Sequence, residues 1–259
     1  MKKCLFCSFL VLLFSLSSTA RPPKDILSKW RTYPVGKINF VDKSPNTEGS
    51  KIYHSIIPDP ETYIQDKARQ VLNTLYYSPK DSIPPVYQID YILEDNKGIS
   101  AKGGGHGNIN IWYSTRHVEQ SFKDNDTAKV LYETAGVLFH ELTHAYQLEP
   151  QGIGDYGSSK VFWAYIEGEA DAVRVANGYF TPQDRPKGGS YMDGYRRLGF
   201  FLVWLRDHYD RNFLRKFNRS TLKVIPWSFD GAIKQILGKQ YSIDELWHQY
   251  EIAMGDIKK

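Results

Sequence analysis

Two histidines lie four residues apart in the stretch VLFHELTHAYQ, residues 137–147, and a glutamate directly follows the first of them. The apolar flanks favour a helix. On a helix, His140 and His144 lie roughly 40° apart, so their nitrogens can fill two corners of a tetrahedral zinc site. Glu141 lies beside the pair, where it can act as general base toward a water without ligating the metal. The alternative is a structural helix with two hydrogen-bonded histidines.

A second pair of charged residues follows in the stretch YIEGEAD, residues 165–171. Glu167 and Asp171 are also four residues apart, so both carboxylates face one way on a helix. A catalytic zinc site needs a third protein ligand, and a carboxylate typically orients a ligating histidine, so this pair supplies one of each. A solvated acidic helix face is the alternative, but unpaired carboxylates beside the apolar segment FWAYI would be costly. Glu169 points away by helical phase and is left out of the site.

The elements that position these residues follow from the periodicity of apolar residues. Alternation predicts strands at 36–44, 85–95 and 108–114. Helical spacing predicts helices at 59–77, 129–148, 160–178, 191–210, 212–219, 228–237 and 242–254. Gly178 is the expected C-cap of the third of these helices, and the glycine-rich segment 97–107 indicates a loop. Strands come first and helices second, so the expected fold class is α+β.

The N-terminal segment has the order of a secretory signal peptide. Lysines precede an apolar run, and Ser18 and Ala20 occupy the −3 and −1 positions of a cleavage site before Arg21. We therefore expect a signal peptide at 1–20 and a secreted mature chain, extracellular or periplasmic. Cys4 and Cys7 leave with the signal, so the mature chain has neither a disulfide nor thiolate chemistry.

The mature chain is nearly neutral. Removal of Lys2 and Lys3 leaves 31 basic and 29 acidic residues, a net charge of +2, which is too balanced to indicate a nucleic-acid or anionic-membrane partner. No later segment approaches 18 apolar residues in a row, so no membrane span is expected. Residues 21–259 are expected to form one monomeric domain, strand-rich over 21–128 and helical over 129–259.

The order of the two motifs resembles that of gluzincin metallopeptidases, the thermolysin-like group. More closely, the chain resembles the basic secretory protein family of plants and bacteria. The stretches that carry the likeness are NINIWYSTRHVEQ, ETAGVLFHELTHAYQ, YIEGEADAVRVANGYF, YMDGYRRLGFFLVWL and LWHQYEIAM. The resemblance implies a thermolysin-like zincin fold. Such a fold has a small mixed sheet, an edge strand beside the active-site helix and a mostly helical C-terminal half.

The resemblance also implies roles for single residues. His140, His144 and Glu167 would bind Zn²⁺, and Asp171 would support a ligating histidine. Glu141 would be the general base, and Tyr195 is the candidate second electrophile, with a packing role as the alternative. The segment 108–114 would be the edge strand that pairs with extended substrate, or else an ordinary core strand.

The expected function is that of a secreted zinc endopeptidase acting on peptides or proteins. The alternatives are a non-catalytic secreted defence or binding protein that keeps the fold, and a zinc hydrolase of a non-peptide substrate. His106 either lines the cleft mouth or is an ordinary loop histidine. Asn125 and Asn218 fit the N-glycosylation pattern, which has meaning in a eukaryotic host.

Overall fold

Four strands form one mixed sheet within residues 28–258, the part of the chain that the computed structural model describes. They are β1 (Lys37–Asp42), β2 (Gln88–Glu94), β3 (Ser100–Gly105) and β4 (Asn108–Ser114), in the spatial order β1-β2-β4-β3. Pairing is parallel between β1 and β2 and between β2 and β4, whereas β3 pairs antiparallel with β4. The three strands predicted from alternating residues are confirmed.

The prediction of a loop at 97–107 is wrong, because residues 100–105 form β3 at the edge of the sheet. The prediction that 108–114 is the edge strand is also wrong, because β4 lies between β2 and β3. The glycines of β3 permit close contacts, since a Cβ on Gly103 would lie 2.8 Å from the Trp112 ring. His106 and Gly107 form the two-residue turn to β4, and their φ values of 50° and 81° suit a tight hairpin.

Helices make up most of the described chain, so the fold is α+β and largely helical, as expected. They are α1 (Glu48–Ile56), α2 (Pro60–Leu75), α3 (Thr115–Ser121), α4 (Thr127–Tyr146), α5 (Lys160–Ala176), α6 (Tyr195–His208), α7 (Phe213–Ser220), α8 (Phe229–Leu237) and α9 (Ile243–Met254). The seven predicted helices are confirmed to within a few residues. The short α1 and α3 are not predicted. Gly178 follows the end of α5 with a φ of 83°, as a C-terminal glycine does.

Helix α6 begins four residues later than predicted. A single 3-10 turn at Tyr191–Asp193 comes first, and Gly194, with a φ of 59°, separates it from α6. This glycine lies against α5, where an added Cβ would come within 3.1 Å of the Trp163 ring. The break makes Tyr195 the first residue of α6 and places it beside α5.

Two groups of buried apolar side chains hold α4 and α5 in place. The first joins the sheet to α2 and α4 and includes Ile89 and Phe139. The second joins α5 to α6–α9 and includes Tyr165, Phe201 and Trp227. Each fully buried side chain of this kind contributes about 1.5–3 kcal/mol. The two helices that carry the predicted metal ligands are therefore each anchored in a core, and they meet between the two cores.

The two asparagines of the glycosylation pattern differ in access. Asn125 is exposed in the turn before α4. Asn218 is fully buried in α7, where its Oδ1 accepts from the Leu148 amide at 2.8 Å and its Nδ2 donates to the Leu75 carbonyl at 3.3 Å. Only Asn125 of this pair is accessible to a glycosyltransferase in the folded chain.

The segment after α9 is tied to the loop before α6 by a largely buried ion pair. Arg185 donates from both terminal nitrogens to Asp256, at 2.6 and 2.7 Å. The Gly188 amide donates to the same carboxylate at 3.2 Å. The hydrogen bond from Arg185 outweighs burial and lowers the pKa of Asp256.

We expect Asp256→Asn to lower the free energy of unfolding by about 3 kcal/mol at pH 7, because Arg185 would keep its burial and lose its counter-charge. The pKa of Asp256 in the folded chain lies below its unfolded value of about 3.9. The stabilisation is therefore complete above that value and is lost as the pH falls through the lowered folded pKa. Denaturant unfolding of both proteins between pH 7 and pH 3 measures the difference.

The matched control is Asp207→Asn, which removes an exposed partner of Arg206 and should change stability by less than about 0.5 kcal/mol. Equal effects of the two substitutions would contradict a structural role for the buried pair.

Candidate metal centre

Three side-chain atoms from α4 and α5 converge on one point. His140 Nε2 lies 3.1 Å from His144 Nε2 and 3.2 Å from Glu167 Oε2, and His144 Nε2 lies 3.8 Å from the same oxygen. Among the described residues, this group could hold a metal ion. The structure thus brings together the three residues that the sequence analysis predicts as ligands.

The outer nitrogen of each imidazole is held by a hydrogen-bond acceptor. His140 Nδ1 lies 2.7 Å from Asp171 Oδ1, and His144 Nδ1 lies 3.1 Å from Gln147 Oε1. Gln147 is itself oriented, because its Nε2 donates to the Ile166 carbonyl at 3.4 Å. Since both partners are acceptors, each Nδ1 carries a proton, and both Nε2 atoms are turned toward the point of convergence.

The convergent atoms fit a zinc ion in chemistry and in spacing. Two imidazole nitrogens and a carboxylate oxygen repel one another unless a proton or a cation lies between them. A tetrahedral ion with ligand bonds of about 2.0–2.1 Å separates its ligand atoms by about 3.4 Å. The observed separations of 3.1, 3.2 and 3.8 Å bracket that value.

The electrostatics of the group favour positive charge at its centre. Burial disfavours a charged His140, but hydrogen bonds to Asp171 and Glu167 outweigh it and raise the pKa of His140 to about 10. Burial and the neighbouring His140 lower the pKa of His144 to about 3. Burial also opposes ionisation of Glu167, yet the two histidines lower its pKa to about 2. At neutral pH the group therefore holds an ionised Glu167, a neutral His144 and a His140 with one proton more than its neutral form, and a cation can replace that extra proton.

Glu141 lies beside the candidate metal-binding group, which consists of His140, His144 and Glu167, without joining it. Its side chain is largely buried, and its Oε1 accepts a hydrogen bond of 2.6 Å from the Ser100 hydroxyl on β3. Burial raises the pKa of the Glu141 carboxyl above its usual value. This is the position of a carboxylate that can exchange a proton with a group at the metal.

Two tyrosines lie beside Glu167 in the wall of the cavity. Tyr195 stacks its ring on His140 with ring centroids 6.0 Å apart, and burial together with Glu167 raises the pKa of Tyr195 to about 12. Tyr156 donates its hydroxyl to Glu167 Oε1 at 2.6 Å. Both rings remain about half exposed, at 45% for Tyr195 and 48% for Tyr156. The structure thus places Tyr195 at the site and adds Tyr156, which the sequence analysis does not predict.

Small residues allow α5 and α6 to approach closely at this point. A Cβ on Gly168 would lie 2.3 Å from the Leu198 side chain, and a Cβ on Gly199 would lie 2.9 Å from Asp171 and from Ala172. The close approach brings the start of α6 to the metal-binding group. Glu169, left out of the predicted site, is fully buried away from the three ligand atoms.

The ligand atoms face a cavity of about 400 Å³ whose walls come from β3, α4, α5 and the loop before α5. Past Lys102 and His144 the cavity continues into a groove along the β3–β4 turn. Past His140 and Tyr195 it continues into a second cavity beside α6. The cleft therefore extends on both sides of the metal-binding group. His106, a turn residue, lines the groove, so it lies on a loop and also near the cleft.

The family model described as "Peptidase of plants and bacteria" matches residues 35–250. The chain belongs to this family. The matched span runs from the start of the sheet into α9 and includes every residue of the candidate metal centre. The predicted resemblance to the basic secretory protein family is thereby confirmed, and the family is one of peptidases. Neither the curated proteins nor the solved structures yield a match to the chain.

The name of the basic secretory protein family indicates secretion. The signal peptide predicted at 1–20 lies outside the described residues, and so do Cys4 and Cys7. Between residues 28 and 258, no helix has the length and apolar character needed to cross a membrane.

For this member of the basic secretory protein family we expect one zinc ion per chain, and Glu167→Ala should abolish stoichiometric zinc binding. Asp171→Asn should weaken zinc binding by about 10- to 100-fold without abolishing it, because Asp171 orients His140 and does not join the ligand group. Elemental analysis measures the zinc content, and competition with a chromophoric chelator measures the affinity. Asp207→Asn, an exposed carboxylate on α6, is the control and should bind zinc normally.

Two results would contradict this assignment. Unchanged zinc in Glu167→Ala would move the third ligand to another residue. Complete loss of zinc in Asp171→Asn would make Asp171 a direct ligand and exchange the roles of the two carboxylates.

Proposed function

We propose that the mature chain, residues 21–259, is a single-domain secreted zinc endopeptidase with a thermolysin-like arrangement of its active site. One observation carries the proposal. Two imidazole Nε2 atoms and a carboxylate oxygen converge between α4 and α5, and the buried carboxylate of Glu141 lines the same cavity. Membership in a peptidase family supports the same reaction.

His140, His144 and Glu167 would hold the zinc ion, and Asp171 and Gln147 would keep the two imidazoles in the required tautomer. When bound, zinc supplies Lewis acidity, which lowers the pKa of a coordinated water to about 7 and polarises a carbonyl. A structural zinc site is closed by four protein ligands, whereas this group offers three. The free side of the group faces the cavity.

Glu141 would act as general base and then as general acid. It would take a proton from the attacking water and pass it to the amine that leaves when the peptide bond breaks. Burial of Glu141, which raises its carboxyl pKa, favours retention of the proton between these two steps. The Tyr195 hydroxyl is the proposed donor to the oxyanion, and Tyr156 would support Glu167 through the hydrogen bond to its Oε1.

The substrate would be an extended peptide bound along β3. Within residues 28–258 no strand pairs with the outer edge of β3, and β3 lines the cavity at Ser100 and Lys102, so it can add a peptide as a further strand. The role assigned to 108–114 in the sequence analysis therefore passes to β3. Because the cleft continues on both sides of the metal centre, a chain can cross it in the middle, which favours cleavage within a polypeptide. A peptide or protein is the partner proposed, with no nucleic acid and no second subunit.

The main test of the proposed function is Glu141→Gln. This change keeps the shape of the side chain and its hydrogen bond from Ser100 but cannot accept a proton. We expect the variant to keep its zinc and its fold while peptidase activity falls by about 10²- to 10⁴-fold. The measurement is digestion of a denatured protein by the purified mature chain, with and without a metal chelator.

The control is Glu245→Gln, a matched change of an exposed carboxylate at the start of α9, which should cleave at the wild-type rate. A zinc-loaded wild type that cleaves no protein or peptide would leave the non-catalytic binder or the non-peptide hydrolase as the function. A Glu141→Gln variant as active as the wild type would place the catalytic base elsewhere.

A further inference from the structure

Ser100 is placed in the active-site cleft by the register of β3. In this register Ser100 lies opposite Tyr113, and Lys102 lies opposite Ile111. Both partners on β4 are fully buried, so this face of the sheet is the one that packs on the protein interior. The Ser100 side chain therefore points inward, toward α4, from the strand with the open edge.

The contact that Ser100 makes there is with the proposed catalytic base. Its hydroxyl donates to Glu141 Oε1 at 2.6 Å, a short bond to a largely buried side chain. Between residues 28 and 258, no other hydrogen bond to the Glu141 carboxylate is found. One oxygen of the carboxylate is thus held by the strand, and the other is left for the cavity.

We infer that Ser100 is a positioning residue for Glu141 and that it links substrate binding on β3 to the geometry of the base. The inference rests on the proposed function. A carboxylate that turns about its terminal bond presents either oxygen in many directions. The Ser100 hydroxyl fixes one oxygen and so aims the other at the attacking water. An added substrate strand would order β3, and with it the hydroxyl that holds the base.

The positioning role differs from that of a hydrogen bond that only holds β3 against α4. A purely structural bond would hold β3 against α4, and its loss would disturb substrate binding, zinc binding or the fold. A positioning bond acts on the chemical step, because proton transfer depends on sub-ångström placement of the base. The two roles therefore predict different changes in KM and kcat.

The experiment compares Ser100→Ala, Ser100→Thr and a control, Ser82→Ala, which changes an exposed serine in the loop before β2. Ser100→Ala should lower kcat by about 10- to 100-fold with KM and zinc content unchanged. Ser100→Thr keeps the hydroxyl on a residue that suits a strand and should restore kcat to within about threefold. Ser82→Ala should match the wild type.

A second measurement tests whether Ser100 acts through Glu141. In the Glu141→Gln background there is no base to position, so adding Ser100→Ala should change the residual kcat by less than about twofold. An effect as large as in the wild-type background would overturn the inference.

The remaining outcomes also test the positioning role of Ser100. Three results would each overturn the positioning role and leave the peptidase proposal standing. The first is an unchanged kcat in Ser100→Ala, and the second is a change in that variant that falls on KM, zinc content or folding. The third is a Ser100→Thr variant as slow as Ser100→Ala. A zinc-loaded wild type without peptidase activity would overturn both.

Discussion

The structure depends on the forced proximity of three atoms that repel one another unless a proton or a cation lies between them. Two imidazole nitrogens and a carboxylate oxygen lie within 3.1–3.8 Å on facing helices. The chain holds them there because α4 and α5 are each anchored in a separate apolar core, built around residues such as Phe139 and Phe201. A cation between the helices converts this repulsion into attraction, so metal binding and the packing of α4 against α5 are expected to stabilise each other.

The surrounding polar residues fix the orientation of the three candidate ligands. Asp171 and Gln147 accept hydrogen bonds from the outer nitrogens of the two histidines, and Tyr156 donates a hydrogen bond to Oε1 of Glu167, the oxygen outside the convergent group. Each ligand thus has one atom turned outward to a hydrogen-bond partner and one atom turned inward. Loss of such an outer partner typically lowers metal affinity by about 10- to 100-fold. Glycine contributes as well, because Gly168 lets α6 approach α5 closely enough for Tyr195 to stack on His140.

The sequence predicts the parts of this site that depend on local periodicity and not those that depend on tertiary contacts. Residues four apart on a helix share a face whatever surrounds them, so the ligand pairs of α4 and α5 can be predicted from spacing alone. Ser100 and Tyr156 reach the site only through strand register or loop path, and nothing in their local pattern marks them. The edge strand β3 is not predicted for a related reason. Glycines usually signal loops, but in β3 they make room for neighbouring side chains, as Gly103 does for Trp112.

Within the described residues β3 has an unpaired outer edge, and the same strand contacts Glu141 through Ser100. An unpaired strand edge is a hazard for aggregation, and proteins usually cover it or shorten it. Here the strand is short and carries the charged Lys102, and both features discourage pairing with another sheet. The strand lines the cavity that the three candidate ligands face, so a peptide that paired with it, as proposed, would lie against them. Because Ser100 extends from this same strand to Glu141, the proposed substrate and the proposed base would be positioned by one element, and movement of β3 would displace both together.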